Sequence, residues 1–236
     1  MFIETQTDMW SLKATSAVLA PTPDFKRFNR FGTTAHMIWF FRRLCGFGPP
    51  PAKPNFTVLC IGLEGSGKSS LLAVLSGEKY EDIPPTIGFS IKALMFEDCI
   101  VDVKELGGRE SVRPYWDRYY AGAQGIIFVV DSTSSDENLK LASNEFHKAL
   151  GDPVLDDLPL LVLCSYQDKQ DAKSPSQLQE ILEVNLEDGH RPWAIRGCSI
   201  QDRDSIKQSF EEFNRFLLHP TNHSKDHSNN KDFSRL

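Results

Sequence analysis

From Phe56 onward, short runs rich in β-branched and other apolar residues alternate with stretches whose apolar positions recur at helical spacing. The runs Phe56–Ile61, Ser90–Phe96, Cys99–Lys104, Gly125–Asp131, Leu158–Cys164 and Trp193–Cys198 predict strands. The stretches Lys68–Leu75, Glu137–Leu150, Gln177–Glu183 and Ser205–Leu218 predict helices. In the last of these, Ile206, Phe210, Phe213 and Leu217 share one face and should meet a core. The turn Glu97-Asp98 is short enough to join the second and third strands as an antiparallel hairpin. Elsewhere strands alternate with helices. The predicted fold is α/β, a mostly parallel six-stranded sheet with helices on both faces.

The regular pattern covers 56–218 and sets the domain organisation. Residues 1–32 carry Ser, Thr and Pro without an apolar period and read as a poorly ordered leader. Residues 33–55 read as an amphipathic, membrane-proximal segment. Here Met37, Ile38, Trp39, Phe40, Phe41 and Leu44 crowd beside Arg42 and Arg43, and Gly48-Pro49-Pro50-Pro51 forms a stiff hinge. Residues 219–236 read as a disordered polar tail, in which His219, His223 and His227 are solvated rather than aligned on a helix.

Charge sharpens this division. Of the 236 residues, 26 are Lys or Arg and 32 are Asp or Glu, which excludes the basic excess of a nucleic-acid binder. Residues 1–55 hold seven basic and three acidic side chains, a net of +4, whereas 56–218 hold 16 and 27, a net of -11. A basic, aromatic leader on an acidic body suits an anionic membrane surface. Met37–Phe41 is too short to span a bilayer, and no secretory signal is evident, so the expected compartment is cytoplasmic. Residue 2 is Phe, which excludes N-myristoylation, whereas Cys45 beside the aromatic cluster suits S-palmitoylation. A helix packed against its own domain is the competing reading of 33–47. Cys60, Cys99, Cys164 and Cys198 lie in or beside strand runs and read as buried apolar residues.

The strongest chemical signal is Gly62-Leu63-Glu64-Gly65-Ser66-Gly67-Lys68-Ser69, a full G-x-x-x-x-G-K-[ST] match between a strand and a helix, with Ser70 next in line. The glycines let successive N–H groups converge on a phosphate, and the helix beginning near Gly67 adds its positive end. Lys68 supplies a charge for the β and γ phosphates, and the Ser69 hydroxyl a ligand for Mg²⁺.

Downstream come Pro85-Thr86-Ile87-Gly88-Phe89, Glu105-Leu106-Gly107-Gly108, Arg113 to Trp116 as R-P-x-W, Val129-Val130-Asp131-Ser132, Gln167-Asp168 and Cys198-Ser199. With these blocks, residues 56–218 resemble the Arf and Arf-like branch of the small GTPases. The resemblance implies a P-loop small GTPase fold binding GTP or GDP with Mg²⁺. Thr86 would be the switch I threonine, sharing the ion with Ser69, and Glu105 would hold it through water. Gly108 would offer its N–H to the γ-phosphate. The Ser90–Lys104 hairpin would couple the nucleotide to the N-terminal segment. Asp168 would read guanine, with Ser165, Tyr166, Gln167, Cys198 and Ser199 completing the base loops.

The chain also departs from the family. Asn-Lys-x-Asp reads Ser165-Tyr166-Gln167-Asp168, so a brace between base loop and P-loop is expected to be lost, while the Tyr166 ring can stack. The switch II acid is Glu105 instead of Asp. Arg109 stands where the family has the Gln that orients the attacking water, and an Arg has no acceptor. Slow hydrolysis, a built-in arginine finger, and plain pairing with Glu105 or Glu110 are the three readings of Arg109. The overall reading is a GTP-dependent regulatory switch with slow intrinsic hydrolysis, binding effectors at membranes. A pseudo-GTPase scaffold stays open beside it, and a P-loop kinase would need an acceptor pocket or lid that the chain does not offer. The resemblance further implies a monomer placed peripherally at Golgi, other endomembranes or plasma membrane. It implies membrane-associated effector proteins, with cystathionine-β-synthase-domain magnesium transporters as candidates.

Overall fold

The computed structural model describes residues 52–184 and 191–219. The leader, nearly all of the membrane-proximal segment with Cys45, and the tail beyond His219 lie outside the described residues.

Six strands form one sheet: β1 (Asn55–Ile61), β2 (Phe89–Met95), β3 (Ile100–Leu106), β4 (Gly125–Asp131), β5 (Leu160–Ser165) and β6 (Trp193–Gly197). Their order is β2-β3-β1-β4-β5-β6. Only β2 and β3 are antiparallel, with Phe89 opposite Leu106 and Met95 opposite Ile100. The predicted Glu97-Asp98 turn closes that hairpin, where the Phe96 N–H donates to the Cys99 carbonyl at 3.0 Å. The helices are α1 (Lys68–Ser76), α2 (Asp136–Leu150), α3 (Pro175–Ile181) and α4 (Arg203–Leu218).

The side-chain period of two divides each central strand between two cores. Val58 and Cys60 of β1 join Ile127, Val129, Leu161 and Leu163 beneath α1 and α4. Here Ile206, Phe210, Phe213 and Leu217 form the predicted apolar face of α4, and all are buried. Leu59 and Ile61 point the other way and join Phe128, Val130, Leu160 and Val162 beneath α2 and α3. Helices on both faces are thus the direct consequence of strands apolar on both sides.

Several boundaries move for local reasons. Strand β5 begins at Leu160, two residues after the expected start, because Pro159 has no N–H to give a ladder. Helix α3 begins at Pro175 because Ser174 and Gln177 form a capping box just before it. Ser135 caps α2 and Asp202 caps α4, so both helices start one or two residues earlier than their apolar periods indicate. The sequence pattern missed a 3₁₀ helix at Arg113–Tyr119, whose Trp116 is buried in the second core. Cys60, Cys99, Cys164 and Cys198 are buried and not disulfide-bonded, as their strand positions suggested. Burial pushes the Cys198 thiol up to about 12, so it stays protonated and unreactive. Among the described residues, no helix is long and apolar enough to cross a membrane.

Candidate nucleotide site

The carboxyl end of β1 runs directly into the Gly62–Ser69 loop and α1. Gly62 is obligatory: a Cβ there would lie 2.2 Å from the Val129 carbonyl oxygen of the neighbouring strand. The loop wraps around the Lys68 ammonium, which donates to the carbonyls of Gly62 at 2.9 Å and Leu63 at 2.8 Å and sits 3.3 Å from Ser66 Oγ. Lys68 is buried, and burial pushes its pKa below the usual ammonium range; Cys60, Glu105 and Glu64 oppose that shift. An ammonium fixed this way, beside the N-terminus of α1, gives the loop a cationic interior suited to a polyphosphate.

Three oxygen groups converge next to it. Ser69 Oγ donates to Glu105 Oε1 at 2.5 Å, Thr86 Oγ1 donates to the same oxygen at 3.1 Å, and the two hydroxyls are 3.2 Å apart. Glu105, at the end of β3, is buried. The extra carbon relative to Asp lets this carboxylate reach both hydroxyls directly. Two hydroxyls beside a carboxylate are an all-oxygen group of the kind that would hold magnesium, directly or through water.

The Gly107–Arg109 segment lies across the loop. A Cβ at Gly108 would stand 2.3 Å from the Leu63 carbonyl carbon and 2.4 Å from Glu64 N, so only glycine fits there. The Gly108 carbonyl accepts from Glu64 N–H at 3.1 Å and from Arg113 Nη1 at 3.1 Å. Gly107 N–H donates to the Gly88 carbonyl at 2.8 Å, and the Gly107 carbonyl accepts from Trp116 Nε1 at 2.9 Å. Arg113 is itself held by Glu145 of α2 at 3.0 Å. The R-P-x-W block is therefore the clamp that fixes the double glycine, a role its spacing did not disclose. Arg109 pairs with neither Glu105 nor Glu110: its Nε donates to Glu64 Oε1 at 2.8 Å.

On the other side of the loop, β5 delivers Ser165 to Asp168. Ser165 Oγ lies 2.8 Å from the Ser66 carbonyl and 3.0 Å from that of Val130. The brace whose loss the sequence suggested is thus made by the shorter serine. Tyr166 Oη donates to the Gly65 carbonyl at 3.0 Å, with its ring beside Gly67. Burial first, then Asp131 and Asp168, push the Tyr166 phenol upward, so it stays a donor. Gln167 turns away from the cleft. Its Nε2 donates to Ser132 Oγ at 2.7 Å and to the Lys173 carbonyl at 2.9 Å, tying its own loop to the one after β4. Asp168 is exposed and accepts from Ser199 Oγ at 2.6 Å, and this bond chiefly holds its carboxyl below the usual range. Cys198 acts through its backbone, donating to the Cys164 carbonyl at 2.8 Å and accepting from Gln167 N–H at 3.1 Å.

A cleft of about 400 Å³ joins these parts, lined by Glu64, Gly65, Gly67, Lys68, Ser69, Ser70, Thr86, Glu105, Gly108, Arg109 and Tyr166 among the predicted residues. Pro85 of the Pro85–Phe89 block also lines it, as do Ile83 and Pro84, which the motifs did not include. Gly62, Leu63 and Ser66 shape the loop from behind. Ser165, Gln167, Asp168, Cys198 and Ser199 form a second group, joined to the cleft through Tyr166.

A P-loop at the carboxyl end of a mostly parallel sheet covered on both faces defines a small GTPase fold. The chain belongs to the ADP-ribosylation factor family, whose model matches residues 51–216. It is 46% identical over 187 residues to ADP-ribosylation factor-like protein 15 of Homo sapiens, covering 79% of this chain and 89% of that one. It is 37% identical over 155 residues to ADP-ribosylation factor-like protein 1 of Saccharomyces cerevisiae, covering 65% and 83%. Among solved structures, the Arl6 small GTPase from Trypanosoma brucei, with the bound nucleotide analogue GppNp, superposes with a TM-score of 0.63. That match covers 70% of this chain and 98% of that one, at 22% identity.

Proposed function

We propose that the chain is a guanine-nucleotide-dependent switch that binds GTP or GDP with Mg²⁺ and hydrolyses GTP slowly. The observation that carries this is the convergence of Lys68, Ser69, Thr86 and Glu105 under the Gly62–Ser69 loop. Lys68 and the loop amides would hold the phosphates. Ser69, Thr86 and, through water, Glu105 would hold magnesium, which when bound supplies charge neutralisation on the phosphates. Asp168 would accept from the guanine ring N–H and amine, a donor pair adenine lacks, and Ser199 orients that carboxylate. Tyr166 would take the place of the family's lysine, with its ring as a stacking face and its hydroxyl on Gly65.

Slow hydrolysis follows from Arg109, a donor-only side chain already engaged by Glu64. The pseudo-GTPase alternative shares the same cleft and is a scaffold that holds nucleotide without cycling, or hardly holds it. The further proposals are a monomer acting at Golgi or other membranes, anchored through 33–55 and Cys45 and binding membrane-associated effectors. Magnesium transporters with cystathionine-β-synthase domains are candidate effectors, suggested by family likeness. The test is the affinity of the full chain for GTP, GDP and ATP with and without Mg²⁺. We expect the guanine nucleotides to bind at least tenfold more tightly than ATP, and GTP to depend on Mg²⁺. Equal uptake of ATP and GTP would contradict the reading, and binding without turnover would favour the scaffold.

A further inference from the structure

We infer that Glu64 and Arg109 form a clasp that sets how strongly the cleft prefers a nucleoside triphosphate over a diphosphate. This rests on the guanine-nucleotide reading above. Phosphate chemistry demands neither residue: Glu64 occupies a free position of the P-loop pattern, and Arg109 follows the double glycine. Yet the two side chains meet at 2.8 Å, and both line the cleft.

Glu64 grips the Gly107–Arg109 segment twice, by its backbone N–H on the Gly108 carbonyl and by its carboxylate on Arg109. Gly107 is bonded in turn to Gly88, three residues from Pro85 and two from Thr86. The segments around Thr86 and Gly108 are therefore held on the P-loop by contacts of the chain itself. A terminal phosphate gains most from that closed arrangement, because only it reaches Gly108 and Thr86; a diphosphate gains little. Whatever closing costs is therefore subtracted from triphosphate affinity alone. A clasp that lowers this cost strengthens GTP and leaves GDP unchanged. Arg109 also neutralises a carboxylate that would otherwise face the terminal phosphate.

Both side chains are 48% exposed, so the clasp has the strength of a surface ion pair. For the full chain with Mg²⁺, Arg109→Ala should weaken GTP by about two- to fivefold and leave GDP unchanged. The same change made on Glu64→Ala should have no further effect, and 0.5 M NaCl should shrink the difference between the parent and Arg109→Ala by screening the pair. Equal weakening of GTP and GDP, or an undiminished Arg109 effect without Glu64, would overturn the inference. A parent that takes up neither nucleotide removes the functional reading, and amide hydrogen exchange over residues 105–113 then judges the clasp by itself. Exchange should be slower in the parent than in Arg109→Ala, and equal rates reject the clasp.

Discussion

Asp168, the proposed guanine-reading group, shows how one hydrogen bond tunes a carboxylate. Ser199 holds its carboxyl below the usual carboxylate range, so the folded form binds fewer protons than the unfolded chain near pH 4. The contribution is present above the unfolded value of about 3.9 and is lost as pH falls through the lower folded value. Ser199→Ala should move the acid limb of guanine-nucleotide binding to higher pH and weaken GTP and GDP alike by about 1 kcal/mol. A pH titration of affinity checks both, and an unmoved acid limb denies Ser199 this role. At Arg109 the expected result is different. Arg109→Gln restores an acceptor and should raise single-turnover GTP hydrolysis above the parent's, for which the proposed function predicts at most about 10⁻⁴ s⁻¹. Unchanged turnover would clear Arg109 as the cause of slowness. Residue types in the P-loop were legible from the sequence because phosphate chemistry fixes them. The partner of Arg109 was not, since Glu64 and Arg109 are 45 positions apart and meet only when the β3 end folds over the loop.

At the scale of elements, periodicity told most of the story. The strands alternate between two cores, and α4 buries the face that Ile206, Phe210, Phe213 and Leu217 define. Besides a single 3₁₀ turn at Pro153–Leu155, it missed the 3₁₀ helix at Arg113–Tyr119, which is too short to show a period and carries Pro114 near its start. The worth of the Arg113–Tyr119 helix lies in hydrogen bonds. Trp116→Phe keeps an aromatic ring but removes the indole N–H and some buried volume, stranding the Gly107 carbonyl, and should cost about 1–3 kcal/mol in urea denaturation while speeding amide exchange at Gly107 and Gly108. The seam between β4 and α4 is similarly tight. Gly125→Ala would place a Cβ 2.7 Å from Phe213 Cζ and 3.0 Å from Leu217 Cδ2, costing about 1–3 kcal/mol by overpacking. A stability unchanged by Gly125→Ala would show that α4 yields more easily than its contacts imply.

For the whole molecule, the alternation of strands and helices made the mostly parallel sheet with helices on both faces readable, whereas the strand order emerged only from the structure. The contrast between a basic 1–55 and an acidic 56–218 motivates the proposed membrane placement. In cells, Cys45→Ser should shift the chain toward the soluble fraction, and unchanged fractionation would reject acylation at Cys45 as an anchor. Everything else depends on the cleft. Lys68 is buried and donates to two P-loop carbonyls, so its removal strips the cleft of its central cation. The most direct measurement is the affinity of Lys68→Ala for GTP and GDP with Mg²⁺, beside a thermal melt showing the fold retained. The account predicts a loss of at least a hundredfold for GTP; a folded Lys68→Ala chain that binds GTP as tightly as the parent would contradict it.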